Sequence, residues 1–363
     1  MSAKNSPCKL VVPAKSSLAP LSHQRLLSVE LLQVCERLEF LNQVPQTIEL
    51  TGVEFGSLNL AAELIKLARQ YLGDAPLALA KVKLCPKIVG ALSVLTEVGV
   101  NFLELQYHND QSSLGLLRQG AHEFSRGGVS EFGISFQFGD SGRTLSRFRE
   151  ELCALAELSP TYIKVEPCLN FSKWPLFTKS AYSYALSENL YQTFCASLDA
   201  LGYDKLHTDF FVRRNTNTRT AFVPPPNCTI FGIGPSAKSR IVEGPGLIRE
   251  EINFPDEAYE LAILTGKPYK KVERYLQPRE HALDMLLYLL ASGPGLAADD
   301  FSALFKTDLR ESAEYFFSSL VESEYLDEEA STYKFTYKGF LARDLLFKEL
   351  ELAPCWGGEI AGW

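Results

Sequence analysis

The sequence predicts an α/β chain: a partial (β/α) TIM-like barrel followed by a C-terminal winged-helix-like α+β module. Two observations carry the prediction. Over the first two-thirds of the chain, short apolar runs alternate with longer stretches whose apolar residues recur at helical spacing, the pattern of βα units around a parallel sheet. The last third changes period and reads helix, helix, hairpin, helix. With 363 residues, 46% apolar and 22% charged, the chain can bury a sizeable core without disulfides or structural metal.

Lys9–Ala14 (KLVVPA) opens the alternation as a short apolar run. From His23 to Phe40, Leu26, Leu27, Val29, Leu32 and Val34 fall at helical spacing. Strands are then expected at Thr47–Gly52 (TIELTG), Leu77–Leu84, Asn101–Tyr107 (NFLELQY), Ser130–Phe138 (SEFGISFQF), Thr161–Cys168 (TYIKVEPC) and Lys205–Val212 (KLHTDFFV). The helices between them are Leu58–Tyr71, Lys87–Val98, Ser113–Phe124, Thr144–Leu158 and Ser187–Leu201. This fits a full or partial barrel, with a doubly wound sheet as the alternative. A barrel places its chemistry where strands end. That selects Lys15–Ser22, Gly52–Ser57, Lys83–Pro86, Tyr107–Asp110, Gly139–Thr144 and Glu166–Asn170.

Residues 1–227 are assigned to the barrel, 228–278 to a connecting segment, 279–350 to the winged-helix-like module and 351–363 to a tail. Within the connecting segment Cys228–Gly234 (CTIFGIG) reads as a strand and Glu243–Pro255 as irregular. Arg279–Ala291 is a strongly apolar helix. The module then runs through LAADDFSALF, RESAEYFFSSLVES, YLDEEASTYKFT and KGFLARDLLFKEL. The tail carries two tryptophans beside glycines (PCWGGEIAGW). It could dock on the chain or bind a protein partner.

The balance of 36 Lys+Arg against 44 Asp+Glu gives a net charge of −8, which argues against a nucleic-acid partner. No apolar run approaches the length of a membrane span, and no signal peptide is evident. The eight cysteines are scattered, without a CxxC or CxxxC pair, so no sequence-local zinc or iron–sulfur site is expected. A reduced, cytoplasmic protein with free thiols is the simplest reading.

Several short segments, in order, resemble one family. They are GVN at Gly99–Asn101, SFQFGDSGRT at Ser135–Thr144 and LSP at Leu158–Pro160. LGYDKLHTDFFVR begins at Leu201, FGIGPSAKS spans Phe231–Ser239, EINFPDEAY spans Glu251–Tyr259, and YKFTYKGFLARDLLF begins at Tyr333. Together they resemble the oxygen-independent coproporphyrinogen III oxidases and their heme-chaperone relatives, in the radical S-adenosylmethionine superfamily. The resemblance implies a radical-SAM-type partial barrel and spans nearly the whole chain.

The departures fall at strand ends. The family's CxxxCxxC positions are occupied by Lys15, Ala19 and Ser22. Without thiolates a [4Fe–4S] cluster has no anchor, so none is expected, and neither is a metal site. The family's GGGTPS corresponds to TGVEFGS at Thr51–Ser57, keeping Gly52 and Ser57. Its E-x-N-P becomes Lys83-Leu84-Cys85-Pro86, and its S-x-G-x-Q-S becomes Glu104 to Asn109. The heme-chaperone H-N-x-x-Y element has only Arg214–Thr218 as its nearest counterpart.

Candidate cofactor-binding positions are therefore Gly52 and Ser57, toward the methionine end of S-adenosylmethionine, and Gly139, Gly142, Gly232 and Gly234, in loops that could cradle a phosphate or carboxylate. Glycine-rich loops let backbone approach a ligand. Cys85 and His207 are the candidate heme ligands, each with a plain structural alternative as a packed thiol or a hydrogen-bonded imidazole. Lys83, Glu104, His108 and Glu166 are the best nominees for acid–base work if the barrel hosts an enzyme of another class. Lys164, Glu166 and Asp209 could instead form buried ion pairs in place of a lost cofactor.

Three functions follow as expectations. The first is a cluster-less relative that binds a tetrapyrrole, heme or S-adenosylmethionine without radical chemistry. The second is an enzyme of another class using the barrel interior. The third is a structural or regulatory partner of an active paralogue.

Overall fold

The computed structural model describes residues 8–13, 20–41, 45–73, 77–83, 85–107, 111–129, 131–138, 145–167, 181–215, 224–244, 247–305, 308 and 313–352. In chain order these form β1 (Cys8–Pro13), α1 (Pro20–Leu41), β2 (Thr47–Val53), α2 (Leu58–Leu72) and β3 (Leu77–Lys83). Next come α3 (Pro86–Val89), α4 (Ser93–Glu97), β4 (Phe102–Tyr107), α5 (Gln111–Arg126), β5 (Phe132–Phe138) and α6 (Leu145–Glu157). They are followed by β6 (Tyr162–Pro167), α7 (Ala181–Ala200), β7 (Tyr203–His207), β8 (Phe210–Arg213), β9 (Thr229–Gly232), β10 (Lys238–Gly244) and β11 (Leu247–Asn253). The rest are α8 (Asp256–Leu264), β12 (Lys270–Leu276), α9 (Pro278–Ala291), β13 (Leu296–Ala297), α10 (Ala298–Phe305), α11 (Glu314–Glu322), β14 (Leu326–Glu329), β15 (Thr332–Phe335) and α12 (Tyr337–Leu352).

The chain divides into two compact units. One comprises residues 1–135 and 220–277, the other 136–219 and 278–363. In the first, β9, β1, β2, β3 and β4 lie side by side and parallel. Alternation along each strand separates two faces. Leu10, Ile48, Leu50, Ala78, Ala80, Leu103 and Leu105 supply a fully buried apolar set. Helix α2 owes its place to Leu58, Ala61, Ala62, Leu64, Ile65 and Ala68, a stripe at i, i+3, i+4, i+7 spacing that is buried throughout. The expected helix Lys87–Val98 is broken into α3 and α4, with Gly90 ending the first piece; glycine is a poor helix former.

The segment expected to be a connection with an irregular stretch is instead an antiparallel extension of this sheet. β10 pairs with β9, β11 with β10, and β12 with β11. The β11–β12 register slips between Glu250 and Glu251, a bulge. Along β12 the residues from Lys271 to Tyr275 are exposed.

The second unit holds two groups of strands. β8 pairs antiparallel with both β6 and β7. What reads as one strand over Lys205–Val212 is thus a tight hairpin turning at Thr208–Asp209. The other group runs β13–β15–β14. With α9, α10, α11 and α12 it gives the expected winged-helix order, packed around Leu283, Leu286, Leu290, Phe301, Phe317, Leu326, Tyr333 and Phe335. No helix among the described residues is long and apolar enough to cross a membrane.

Candidate functional site

On the other face of the first unit's parallel strands lies a row of charges, three of them buried and one half-buried. Lys9 of β1 meets Glu49 of β2 at 2.5 Å, and Lys81 of β3 meets the same carboxylate at 3.0 Å. Glu104 of β4 is register-paired with Lys81 and is itself buried. Signs therefore alternate across four adjacent strands. Burial alone would raise the Glu49 carboxyl, but the two ammonium groups outweigh it and hold the group below the usual carboxylate range. A buried ion row of this kind is a poor source of stability, because desolvation offsets most of its attraction. Its effect is to occupy the face with the protein's own charges.

A second buried carboxylate explains the glycine-rich loop. Glu30 of α1 has no solvent exposure. Its Oε2 accepts the Gly234 N–H at 2.6 Å and the Tyr259 hydroxyl at 2.6 Å. Its Oε1 accepts from Asn253 Nδ2 at 2.8 Å and lies 3.6 Å from Lys270 Nζ. Burial pushes Glu30 above the usual carboxylate range despite these donors. The Gly232 N–H goes to Ser239 Oγ at 3.0 Å. A Cβ on Gly232 would lie 2.3 Å from the Lys238 carbonyl oxygen. The amides of Gly232 and Gly234, expected to cradle a ligand, are thus engaged by the protein itself.

The second unit holds a different kind of cluster. At the hairpin turn His207 Nδ1 and Asp209 Oδ1 are 2.7 Å apart. The two side chains are 12% and 23% exposed, so the pair is sheltered yet reachable. Burial would raise Asp209, but the hydrogen bond and charge of His207, and then Lys164, hold it below its ordinary value. The Asp209 carbonyl accepts the Val165 N–H at 2.7 Å, which fixes the turn beside the C-terminal end of β6. The Tyr288 ring lies 5.8 Å from the imidazole. Nδ1 is spent on Asp209, and among the described residues Nε2 has no hydrogen-bond partner. A carboxylate on one ring nitrogen fixes the tautomer and leaves the other as a ligand or base.

Of the remaining nominees, Gly52 sits at φ +69°, where the β2–β3 register shifts between Leu50 and Val53; a left-handed backbone favours glycine with or without a ligand. Ser57 Oγ closes a local turn with the backbone of Glu54. Cys85 is half-buried and precedes Pro86 at the start of α3. Among Lys83, Glu104, His108 and Glu166, only Glu104 has a side chain within the described residues. His108, Gly139, Gly142, Lys15 and Ala19 lie outside them, as does the side chain of Ser22. No set of three metal-ligating side chains converges among the described residues. The hairpin turn and the Glu30 clasp escaped the sequence reading as sites, although Glu30 falls on the same helical stripe as Leu26, Leu27 and Val34.

The sequence matches no family model and no curated protein sequence. The structure is similar to that of coproporphyrinogen III oxidase (HemN) from Escherichia coli, a radical SAM enzyme. The TM-score is 0.72 at 14% identity, over 98% of this chain and 91% of that one. A structure from Coccidioides immitis, of the dihydrodipicolinate synthase family, aligns over 46% of this chain and 61% of that one, at 11% identity and a TM-score of 0.25; so loose a match bears no weight. The fold is therefore the partial (β/α) barrel seen in HemN, as expected from the sequence.

Proposed function

We propose that this chain is a cluster-less relative of the radical SAM coproporphyrinogen oxidases, and serves as a non-radical binding or accessory protein for a tetrapyrrole, heme in particular. The observation that carries the reading is the His207–Asp209 pair, 2.7 Å apart beside the C-terminal end of β6. That is the end at which (β/α) barrels hold their ligands. An imidazole with Nδ1 anchored on a carboxylate fits iron ligation through Nε2. Bound heme iron would supply an open coordination position for that nitrogen.

The residues do not fit the family's own cofactors. The sequence places Lys15, Ala19 and Ser22 at the three cluster positions. Cys8 lies at the opposite end of β1, with Cys228 just before the neighbouring β9. Burial pushes their thiols up to about 12 and about 11, so neither offers the thiolate that iron needs. Glu49 on the sheet face is already engaged by the Lys9 and Lys81 ammonium groups, so it does not stand open to a cationic sulfonium.

The test is made on one preparation of the full chain. Anaerobic reconstitution with iron and sulfide is followed by iron analysis, then by separate titrations with hemin and S-adenosylmethionine. The expected result is no stoichiometric iron and a saturable Soret shift that His207→Ala removes. About four irons per chain, the content of one [4Fe–4S] cluster, would overturn the cluster-less reading. Binding of S-adenosylmethionine without hemin would overturn the heme assignment.

A further inference from the structure

Resting on the heme reading, we propose that the C-terminal module positions the ligand, with the segment that ends α9 acting as a clamp on the backbone of His207. The contacts form a closed set. His207 opposes Ser292 in an antiparallel bridge. On one side the Thr208 N–H donates to the Ala291 carbonyl at 2.7 Å, and on the other the Gly293 N–H donates to the Leu206 carbonyl at 2.9 Å. The Thr208 hydroxyl adds a second bond to Ala291 O at 2.9 Å. The Tyr191 hydroxyl holds the Thr208 carbonyl at 2.8 Å from the opposite side. A Cβ on Gly293 would lie 2.0 Å from the Lys205 carbonyl oxygen, so the close approach depends on glycine. The side chain of His207 is set by Asp209, and its main chain by the end of α9.

This gives the winged-helix-like module a task that needs no nucleic acid. Its first helix closes the hairpin on which the imidazole stands. Thr208 and Gly293 are positioning residues, because neither offers a side chain to iron. Loss of support behind a metal-binding histidine typically weakens metal affinity by about 10–100-fold.

The experiment is a hemin titration of the full chain, read by Soret position and by the low-spin signal in electron paramagnetic resonance. Thr208→Val is expected to weaken hemin binding by about tenfold and to change the low-spin signal, and Thr208→Ser to restore both. Gly293→Ala is expected to show the larger change. Far-ultraviolet dichroism and melting curves accompany each variant. If Gly293→Ala does not fold, the Val and Ser pair at Thr208 still decides. Spectra and affinity equal to wild type in Thr208→Val, with His207→Ala defective, would overturn the clamp and leave the heme reading intact. Unchanged binding in His207→Ala would overturn the heme reading itself.

Discussion

Glu30 and Tyr259, 229 residues apart in sequence, share a 2.6 Å hydrogen bond at a point with no solvent exposure. The bond ties the first helix to the antiparallel extension of the sheet. Asn253, Gly234 and Lys270 converge on the same carboxylate, so one acceptor gathers the loop after β9, β11, α8 and β12.

Removing a donor from a buried carboxylate costs more than losing a neutral hydrogen bond. Tyr259→Phe is expected to lower unfolding stability by about 2 kcal/mol, and Glu30→Ala by about 3–5 kcal/mol, since its donors lose their acceptor. Urea unfolding of the full chain measures both. A Tyr259→Phe midpoint equal to wild type would show that the clasp contributes nothing.

The row on the parallel strands behaves differently when cut and when replaced. Glu49→Ala leaves Lys9 and Lys81 facing each other without their shared partner, and is expected to cost about 3–5 kcal/mol. Replacing Lys9, Glu49, Lys81 and Glu104 together by Met, Leu, Met and Leu is expected to recover most of that loss, because apolar groups need no desolvation. A quadruple variant as unstable as Glu49→Ala would refute this account.

The two carboxylates respond to pH with opposite signs. Glu49 is held below its ordinary 4.5, so its contribution is complete above about pH 4.5 and is lost as pH falls through its folded value. Glu30 is raised above 4.5, so its contribution is present below that pH and is lost as pH rises through its folded value. Stability–pH curves should therefore lose part of their acid slope in Glu49→Gln and part of the opposing slope in Glu30→Gln. Parallel curves for wild type and both variants would contradict the assignment.

Thiol reactivity offers a cheaper check on the buried cysteines. Cys8, Cys35 and Cys228 are raised by burial to about 12, about 11 and about 11, whereas Cys153 is exposed. Alkylation of the native chain near pH 8, followed by peptide mass mapping, should label Cys153 ahead of Cys35 and leave Cys8 and Cys228 unmodified. Rapid labelling of Cys8 would show that its strand opens readily.

The parallel half of the fold was legible because its strands are apolar on at least one face, as in Thr47–Val53 and Phe102–Tyr107. β11 and β12 were not, because LIREEIN and KKVERYL carry charges where an apolar alternation was sought. The structure matches several of those charges in pairs, Arg37 with Glu251 and Arg274 with Glu250. The hairpin at Thr208–Asp209 has no glycine or asparagine to mark its turn, so β7 and β8 read as one strand. His207 was named as a possible ligand, but its orientation by Asp209 depends on that unseen turn. Gly232 and Gly234 stand out in the sequence by spacing alone. Their spacing suggests a ligand loop, whereas the partner of Gly234 is a helix residue more than 200 positions earlier.

The bulged strand Lys270–Leu276 has one more consequence. It is the outermost member of its sheet, a place where a foreign chain could add itself and start aggregation. The slipped register between Glu250 and Glu251 bends that border, and Lys271, Glu273 and Arg274 line it with exposed charge. A growing stack needs a straight, uncharged template. The chain closes its own sheet by making its last strand unsuitable for copying.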